Sequence, residues 1–274
     1  MKQNRPDLFN SFRSRNPSAP ETVKKLSFEC LTTQEIISFS KEKQTELKRE
    51  LNHLFPTIFK EKKDWEYMVR HFFYTPKGNT IREAVFARDK QGELVALAAF
   101  DNGIFSVEQK EVNIIYIHIR AVLPEYREYR IGRIISKEIL RSLKPDILFT
   151  TCVQLSSYYS WTRITDREIV KNYQFFPRVD TVNHFKKTVC LPIKNLDFIL
   201  RCFRRIYTNH VKDDRQKLED VVNNITVKMV RKGVDTHFNY PKWDENNKKS
   251  KIAEDLGVTE KDAILLVIIK NADE

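Results

Sequence analysis

The run VNIIYIHIRAV (residues 112–122), the turn LPEYREYR (123–130), the run IGRIISKEILRSL (131–143) and, after Lys144-Pro145, DILFTTCV (146–153) decide the fold. The first run is rich in isoleucine and valine, with Tyr116, His118 and Arg120 two apart, as in a strand. In residues 131–143 the apolar positions are 131, 134, 135, 139 and 143, the spacing of a helix with one buried face. The last run is again strand-like. A strand, a helix and a second strand in this order form a β-α-β crossover, whose strands are parallel and whose connection is right-handed. The chain is therefore α/β in this part.

Upstream, residues 83–88 and 94–100 are two apolar runs joined by Asp89-Lys90-Gln91-Gly92, which predicts a β-hairpin, and Asn102-Gly103 predicts a further turn. Before them, Trp65, Met68, Val69, Phe72 and Phe73 make one helical face, stopped by Pro76-Lys77-Gly78. Thr32 and Glu35 stand at capping-box spacing ahead of Ile36, Ile37, Leu47, Leu51, Leu54 and Phe55, predicting one long helix to Pro56. Residues 26–31 read as a short strand. Residues 1–25, with Pro6, Pro17 and Pro20 among charged residues, read as a loosely ordered basic arm. Downstream, residues 182–191 read as a strand and 196–233 as two helices, the second closed by Gly233. Residues 263–270 have the Ile/Val/Leu content of a buried strand.

The 274 residues are 41% hydrophobic, enough for a sizeable core, and carry a net charge of +11. That charge suits a polyanionic partner such as CoA, nucleic acid or an acidic surface. The longest apolar run is far short of the roughly 20 residues that span a bilayer. The first residues lack the apolar segment of a secretory signal, so the expectation is a cytoplasmic protein without a membrane span. Cys30, Cys152, Cys190 and Cys202 are scattered without a C-x-x-C pair, which predicts reduced thiols and no metal site.

The order of elements and the segment Val122-Leu123-Pro124-Glu125-Tyr126-Arg127-Glu128-Tyr129-Arg130-Ile131-Gly132-Arg133 resemble the GNAT superfamily of N-acyltransferases, whose loop is written R/Q-x-x-G-x-G/A. Arg127 and Gly132 match, and Arg130 replaces the middle glycine. The resemblance implies an α/β (α+β) fold: a central mixed, mostly antiparallel sheet flanked by helices, with a helical C-terminal insertion or extension. It places the core at 26–192, and at 193–274 a basic helical region plus a terminal strand that completes the core sheet, paired with 182–191.

A loop that opens a helix presents backbone N–H groups and the positive helix end, which suits the pyrophosphate of acetyl-CoA or another acyl-CoA as co-substrate. By resemblance the cofactor-binding residues are Ala121, Val122, Arg127, Arg130, Ile131, Gly132 and Arg133. The implied chemistry is direct transfer of an acyl group to an amine, which could be a small molecule, a protein or an aminoacyl-RNA. Strand alternation puts Tyr116, His118, Arg120 and Val122 on one face. His118 falls where related members carry a catalytic histidine, Tyr116 where others place a glutamate or histidine. A tyrosine after the next strand commonly protonates the thiolate, which points to Tyr159, then Tyr158, with Gln154 in place of an asparagine. The same residues would also serve as packing: a hydrogen-bonded strand histidine, and two aromatics holding a helix to the sheet. Arg201, Arg204, Arg205, Lys228, Arg231 and Lys232 in the basic helices could contact an acidic or nucleic-acid acceptor, or simply face solvent. A GNAT-shaped CoA-binding or nucleic-acid-binding module without turnover is the alternative function, and a basic nucleic-acid-binding protein without CoA a third.

Overall fold

A computed structural model describes residues 26–58, 65–76, 78–153, 155–164, 166–182, 185–208, 215–226, 228–232, 244–245, 248–249, 251–259 and 262–271. The expected arm at 1–25, Gln154 and Gly233 lie outside the described residues. In chain order the elements are β1 (Ser27–Thr32), α1 (Thr33–Ile37), α2 (Lys41–Ile58), α3 (Trp65–His71), β2 (Thr80–Arg88), β3 (Leu94–Val107) and β4 (Lys110–Val122). A 3-10 turn (Pro124–Tyr129), α4 (Ile131–Leu143), β5 (Ile147–Cys152), α5 (Leu155–Thr162), α6 (Arg167–Asn172), β6 (Tyr173–Phe176), β7 (Arg178–Val182) and β8 (Phe185–Val189) follow. The chain continues through α7 (Ile193–Tyr207), α8 (Arg215–Asn223), β9 (Val230–Arg231), β10 (Asp244–Glu245), β11 (Lys248–Lys249), α9 (Lys251–Leu256) and β12 (Ala263–Lys270).

Eight strands form one sheet in the order β1-β2-β3-β4-β5-β12-β6, with β9 also on β12. The β1–β2, β5–β12, β6–β12 and β9–β12 pairs are antiparallel, and β4–β5 is parallel, Ile114↔Ile147 to Ile117↔Thr150. This is the mixed, mostly antiparallel sheet with flanking helices that the element order predicts. By packing, the chain divides into two units: 1–75, 81–100 and 119–144, and 76–80, 101–118 and 145–274.

In the first unit, Thr32 caps α1 as its spacing predicts: its Oγ1 accepts from the Glu35 N–H at 3.1 Å, while Glu35 Oε2 accepts from the Thr32 N–H at 2.7 Å. The predicted single helix is in fact two, since α1 stops at Ile37 and α2 begins at Lys41. Gln44 fills the break, its side-chain amide donating to the Ile37 and Phe39 carbonyls. Leu47, Leu51, Leu54 and Phe55 are buried, and Phe72 lies between Phe55 and Phe86 at ring-centroid distances of 6.2 and 5.9 Å. Arg88 Nη2 donates to Glu50 Oε2 at 2.7 Å, joining β2 to α2.

The second unit is organised around β12. Leu265, Val267, Phe149, Ile114 and Tyr116 pack with Ile199, Cys202, Phe203, Ile206 and Tyr207 of α7. The predicted partner of the terminal strand is corrected here. Residues 182–191 do not pair with it; β7 and β8 form their own hairpin, Arg178↔Val189 to Val182↔Phe185, and β12 lies between β5 and β6. The second basic helix, predicted to run to Gly233, stops at Asn223, because Val230 and Arg231 are drawn into the sheet beside Ile264 and Ala263.

Asn102-Gly103 is likewise not a turn. β3 runs through it to Val107, and the chain reverses at Glu108 and Gln109, both left-handed at φ 50° and 65°, the conformation of a two-residue hairpin turn. Gly103 is there for close approach: a Cβ would lie 2.8 Å from the Phe105 ring and 2.9 Å from the Asn79 carbonyl oxygen. Gly103→Ala is therefore expected to lower stability by about 1–3 kcal/mol, the scale of overpacking. The check is a urea midpoint below that of the parent; an unchanged midpoint contradicts the close approach.

Candidate functional site

The first unit contains the loop after β4. Leu123 N–H donates to the Val95 carbonyl at 2.9 Å, and Tyr126 OH donates to Asp89 Oδ2 at 3.1 Å, tying the loop to the β2–β3 turn. Arg127 Nε donates to the Val122 carbonyl at 3.2 Å, closing the strand end against the 3-10 turn. Arg130, where the resemblance expects glycine, is left-handed at φ 58° and ψ 28° and forms the N-cap of α4. The backbone thus takes the shape a glycine would give it, at a cost of about 1–2 kcal/mol for a residue with a Cβ. The Arg130 carbonyl accepts from the Arg133 and Ile134 N–H groups at 2.9 and 3.1 Å. Among the described residues, the Ile131 and Gly132 N–H groups have no backbone acceptor outside the helix.

Gly132 is informative for the opposite reason to Gly103. A Cβ there would meet Arg120 Nε at 3.4 Å and Val122 Cγ2 at 3.6 Å, ordinary contact distances, and its backbone is helical. Packing does not demand a glycine at this position, where alanine would strengthen the helix. The Arg120 guanidinium reaches up from β4 to Ser136 Oγ and, at 3.4 Å, the Gly132 carbonyl. No acidic residue stands in the first turn of α4. Glu125 and Glu128 precede it in the 3-10 turn. Arg120, Arg127, Arg130 and Arg133 thus all belong to the strand end, loop and first turn leading into a positive helix terminus, the reverse of the usual complement. Ala121 is buried and Val122 half-buried at the strand end.

The second unit contains the acid–base candidates. His118 Nε2 lies 2.9 Å from Asp101 Oδ2, with the two side chains 6% and 0% exposed. Asp101 was missed by sequence reasoning, because Asp-Asn-Gly reads as a turn. The signal that could have found it is parity: Leu94 to Phe100 is an unbroken buried run, and a carboxylate continuing such a strand requires a charged or hydrogen-bonding partner. The Tyr116 ring meets His118 edge-on at 4.9 Å and 86°. Tyr116 is itself sealed by Phe203 and Tyr207 at 5.9 and 5.2 Å, with its OH 3.3 Å from Thr151 Oγ1. Tyr158 is buried under α5, its OH donating to the Pro177 carbonyl at 3.1 Å. Tyr159 is half-buried, with the Arg163 guanidinium 3.7 Å above its ring. The two tyrosines named for acid chemistry after β5 therefore differ: Tyr158 holds a backbone, and Tyr159 has solvent on one side.

The basic C-terminal residues are largely engaged within the unit. Arg201 pairs with Asp197 at 2.5 Å and Glu108 at 3.4 Å, Arg204 with Glu219 at 3.2 Å and Lys232 with Asp262 at 2.9 Å. Lys228 Nζ donates to the Asp255 carbonyl at 2.7 Å, and the Arg231 guanidinium stands 5.5 Å from the Tyr207 ring. Arg205 is exposed. The helix α7 is part of the core rather than an appendage. Among the described residues no group of three or more His, Cys, Asp or Glu could hold a metal, and no helix is long and apolar enough to cross a membrane. Cys30, Cys152, Cys190 and Cys202 are not joined in disulfides.

No family model matches the sequence, and no curated protein matches it. Among solved structures, the chain is similar to an aminoglycoside acetyltransferase from an uncultured soil metagenomic sample, solved with sisomicin, at 16% identity and a TM-score of 0.35 over 60% of this chain and 97% of that one. It is similar to a GNAT-family N-acetyltransferase of Escherichia coli solved with CoA, at 14% identity and a TM-score of 0.32 over 48% and 64% of the two chains. The third is a GCN5-related glucosamine N-acetyltransferase region of a fungal multi-domain GH3 β-N-acetylglucosaminidase, at 16% and 0.32 over 49% of this chain. The chain spans 14% of that protein and less than two thirds of the Escherichia coli one. Likenesses at this level transfer neither substrate nor activity. By its own strand order, with β2, β3 and β4 consecutive in the sheet, the loop and α4 next, and β5 parallel to β4, the chain has the mixed, mostly antiparallel sheet that the loop's resemblance implies.

Burial pushes the phenols of Tyr116 and Tyr158 well above their ordinary range, and that of Tyr173 up to about 12. The folded state keeps these protons where the unfolded chain releases them near pH 10. Stability is thus complete below about pH 10 and is lost as pH rises beyond it, by about 1.4 kcal/mol per pH unit for each retained proton. Tyr158→Phe should flatten that decline between pH 10 and 12, measured as urea midpoints against pH; an unchanged slope contradicts the burial.

Proposed function

We propose that the chain is an acyl-CoA-dependent N-acyltransferase, with acetyl-CoA as the expected donor and an amine as acceptor. The observation that carries this reading is the start of α4. A glycine that packing does not require, a backbone forced left-handed at Arg130 and four arginines around a helix N-terminus with no acid in its first turn make sense together if an anion binds there. A pyrophosphate supplies that charge, and Gly132 leaves room for its approach. Ala121, Val122, Arg127, Arg130, Ile131, Gly132 and Arg133 are the proposed CoA contacts.

For transfer, His118 is the proposed base. It takes a proton from the acceptor ammonium, directly or through water, and the freed amine attacks the thioester carbonyl carbon. The tetrahedral oxyanion accepts a hydrogen bond from the backbone near Ala121 or Val122. Its collapse breaks the carbon–sulfur bond, and Tyr159 protonates the departing thiolate. Tyr116 and Tyr158 support the site by packing: Tyr116 is covered by Phe203 and Tyr207, and the Tyr158 OH is held by the Pro177 carbonyl. The burial of those two phenols also favours a second reading, a CoA-binding module without turnover.

Acetyl-CoA at 100 times its dissociation constant should raise stability by about 2.7 kcal/mol in a thermal-shift assay. Gly132→Ala should melt at the same temperature or higher, alanine being worth about 0.5–1 kcal/mol over glycine in a helix, and lose the acetyl-CoA shift. An acetyl-CoA shift that survives in the alanine variant removes this loop as the binding site. Release of free CoA from acetyl-CoA in the presence of spermidine, tryptamine or a lysine peptide tests turnover. His118→Ala should lower it about 100- to 1000-fold while keeping the acetyl-CoA shift; CoA binding with no turnover in the parent selects the binding module.

A further inference from the structure

We infer that Arg231 selects the acceptor: its guanidinium receives the carboxylate of an amine that carries an acid several bonds from its nitrogen. This inference rests on the acyltransferase reading above. Among the basic residues expected to meet an acceptor, Arg201, Arg204 and Lys232 face carboxylates within the unit, and Lys228 faces a backbone carbonyl. Arg205 is exposed. Arg231 differs from all of them, because it is half-buried and pairs with no carboxylate among the described residues. Its guanidinium stands 5.5 Å from the Tyr207 ring. A ring face attracts a cation but leaves its charge unbalanced, and the planar fork of N–H donors matches a carboxylate.

The sheet places this cation on the side of the acid–base candidates. β9 lies on β12, β12 on β5 and β5 on β4, with Arg231 beside Ala263, Leu265 beside Thr151 and Tyr116 beside Phe149. Arg231 is thus three strand spacings, about 14 Å, from the strand that carries Tyr116 and His118. Rings bridge the interval: Tyr207 meets Tyr116 edge-on at 5.2 Å, and Tyr116 meets His118 edge-on at 4.9 Å. Burial pushes the Tyr207 phenol up and Arg231 opposes that rise, as it does at Tyr116. A field that favours a phenolate in this place also favours a carboxylate. An acceptor with its nitrogen at His118 therefore reaches Arg231 only if several bonds separate its amine from its acid. An α-amino acid, with a single carbon between the two groups, is too short.

The test is isothermal titration calorimetry of the whole protein with 6-aminohexanoate, set against hexylamine, which has the chain without the acid, and glycine, which has the acid without the chain. The parent should bind 6-aminohexanoate about 10-fold or more tightly than either control, the scale of one charge-assisted hydrogen bond. Arg231→Gln should abolish that preference, and Arg231→Lys, which keeps the charge, should retain part of it. Equal affinities or no binding in the parent overturn the inference whatever the variants do. A preference that survives in a folded Arg231→Gln also overturns it, as does a tRNA whose binding falls in that variant while 6-aminohexanoate binding does not. In the CoA-release assay the acceptors should follow the same order through KM. If acetyl-CoA does not bind the parent, the acyltransferase reading falls, while the calorimetry still decides whether Arg231 holds a carboxylate.

Discussion

A strand in the interior of a sheet must satisfy its backbone on both sides, and here β12 meets that constraint for the strands beside it. Its eight residues ladder with β5 from Ile264↔Cys152 to Ile269↔Ile147 and with β6 from Val267↔Phe176 to Lys270↔Tyr173. Without it, β5 would present an open row of N–H and C=O groups in the middle of an apolar core. The residues Ala263 to Ile268 are wholly buried, and each large aliphatic side chain among them is worth about 1.5–3 kcal/mol. The second unit therefore closes only when the last strand arrives, more than a hundred residues after β5 leaves the sheet.

That closure explains features that look unrelated along the chain. Once β12 occupies the place beside β5, residues 178–189 pair with themselves, and Met229 to Arg231 are drawn from their expected helix to β12, where the Leu265 N–H donates to the Met229 carbonyl at 2.8 Å. The same core takes in α7, whose Phe203 and Tyr207 rings stack at 4.8 Å and cover Tyr116. On the helix exterior Arg201 and Arg204 then find acids within the unit, Asp197, Glu108 and Glu219.

Two glycines show how one residue type answers two constraints. Gly103 is dictated by close approach within a strand, Gly132 by nothing in the packing around it. The distinction matters because a glycine that the fold does not need is the one free to serve a ligand. Arg130 makes the complementary statement: its left-handed backbone is the conformation glycine would choose, held instead by an arginine at the N-cap of α4.

Much of this was legible in the chain itself. The periodicity of residues 131–143, the β-branched runs on either side, the capping pair Thr32 and Glu35 and the apolar run 263–270 each specify an element, because backbone sterics and one-sided burial act over a few residues. The segment 123–130 was legible as the turn that joins a strand to a helix. What tertiary structure alone decided was partnership: which strand β12 joins, that Asn102-Gly103 lies inside a strand, that Tyr158 bonds the Pro177 carbonyl, and that Asp101 stands against His118. Such choices depend on segments distant in sequence competing for the same hydrogen bonds and buried area, and composition and spacing carry no information on which of them wins.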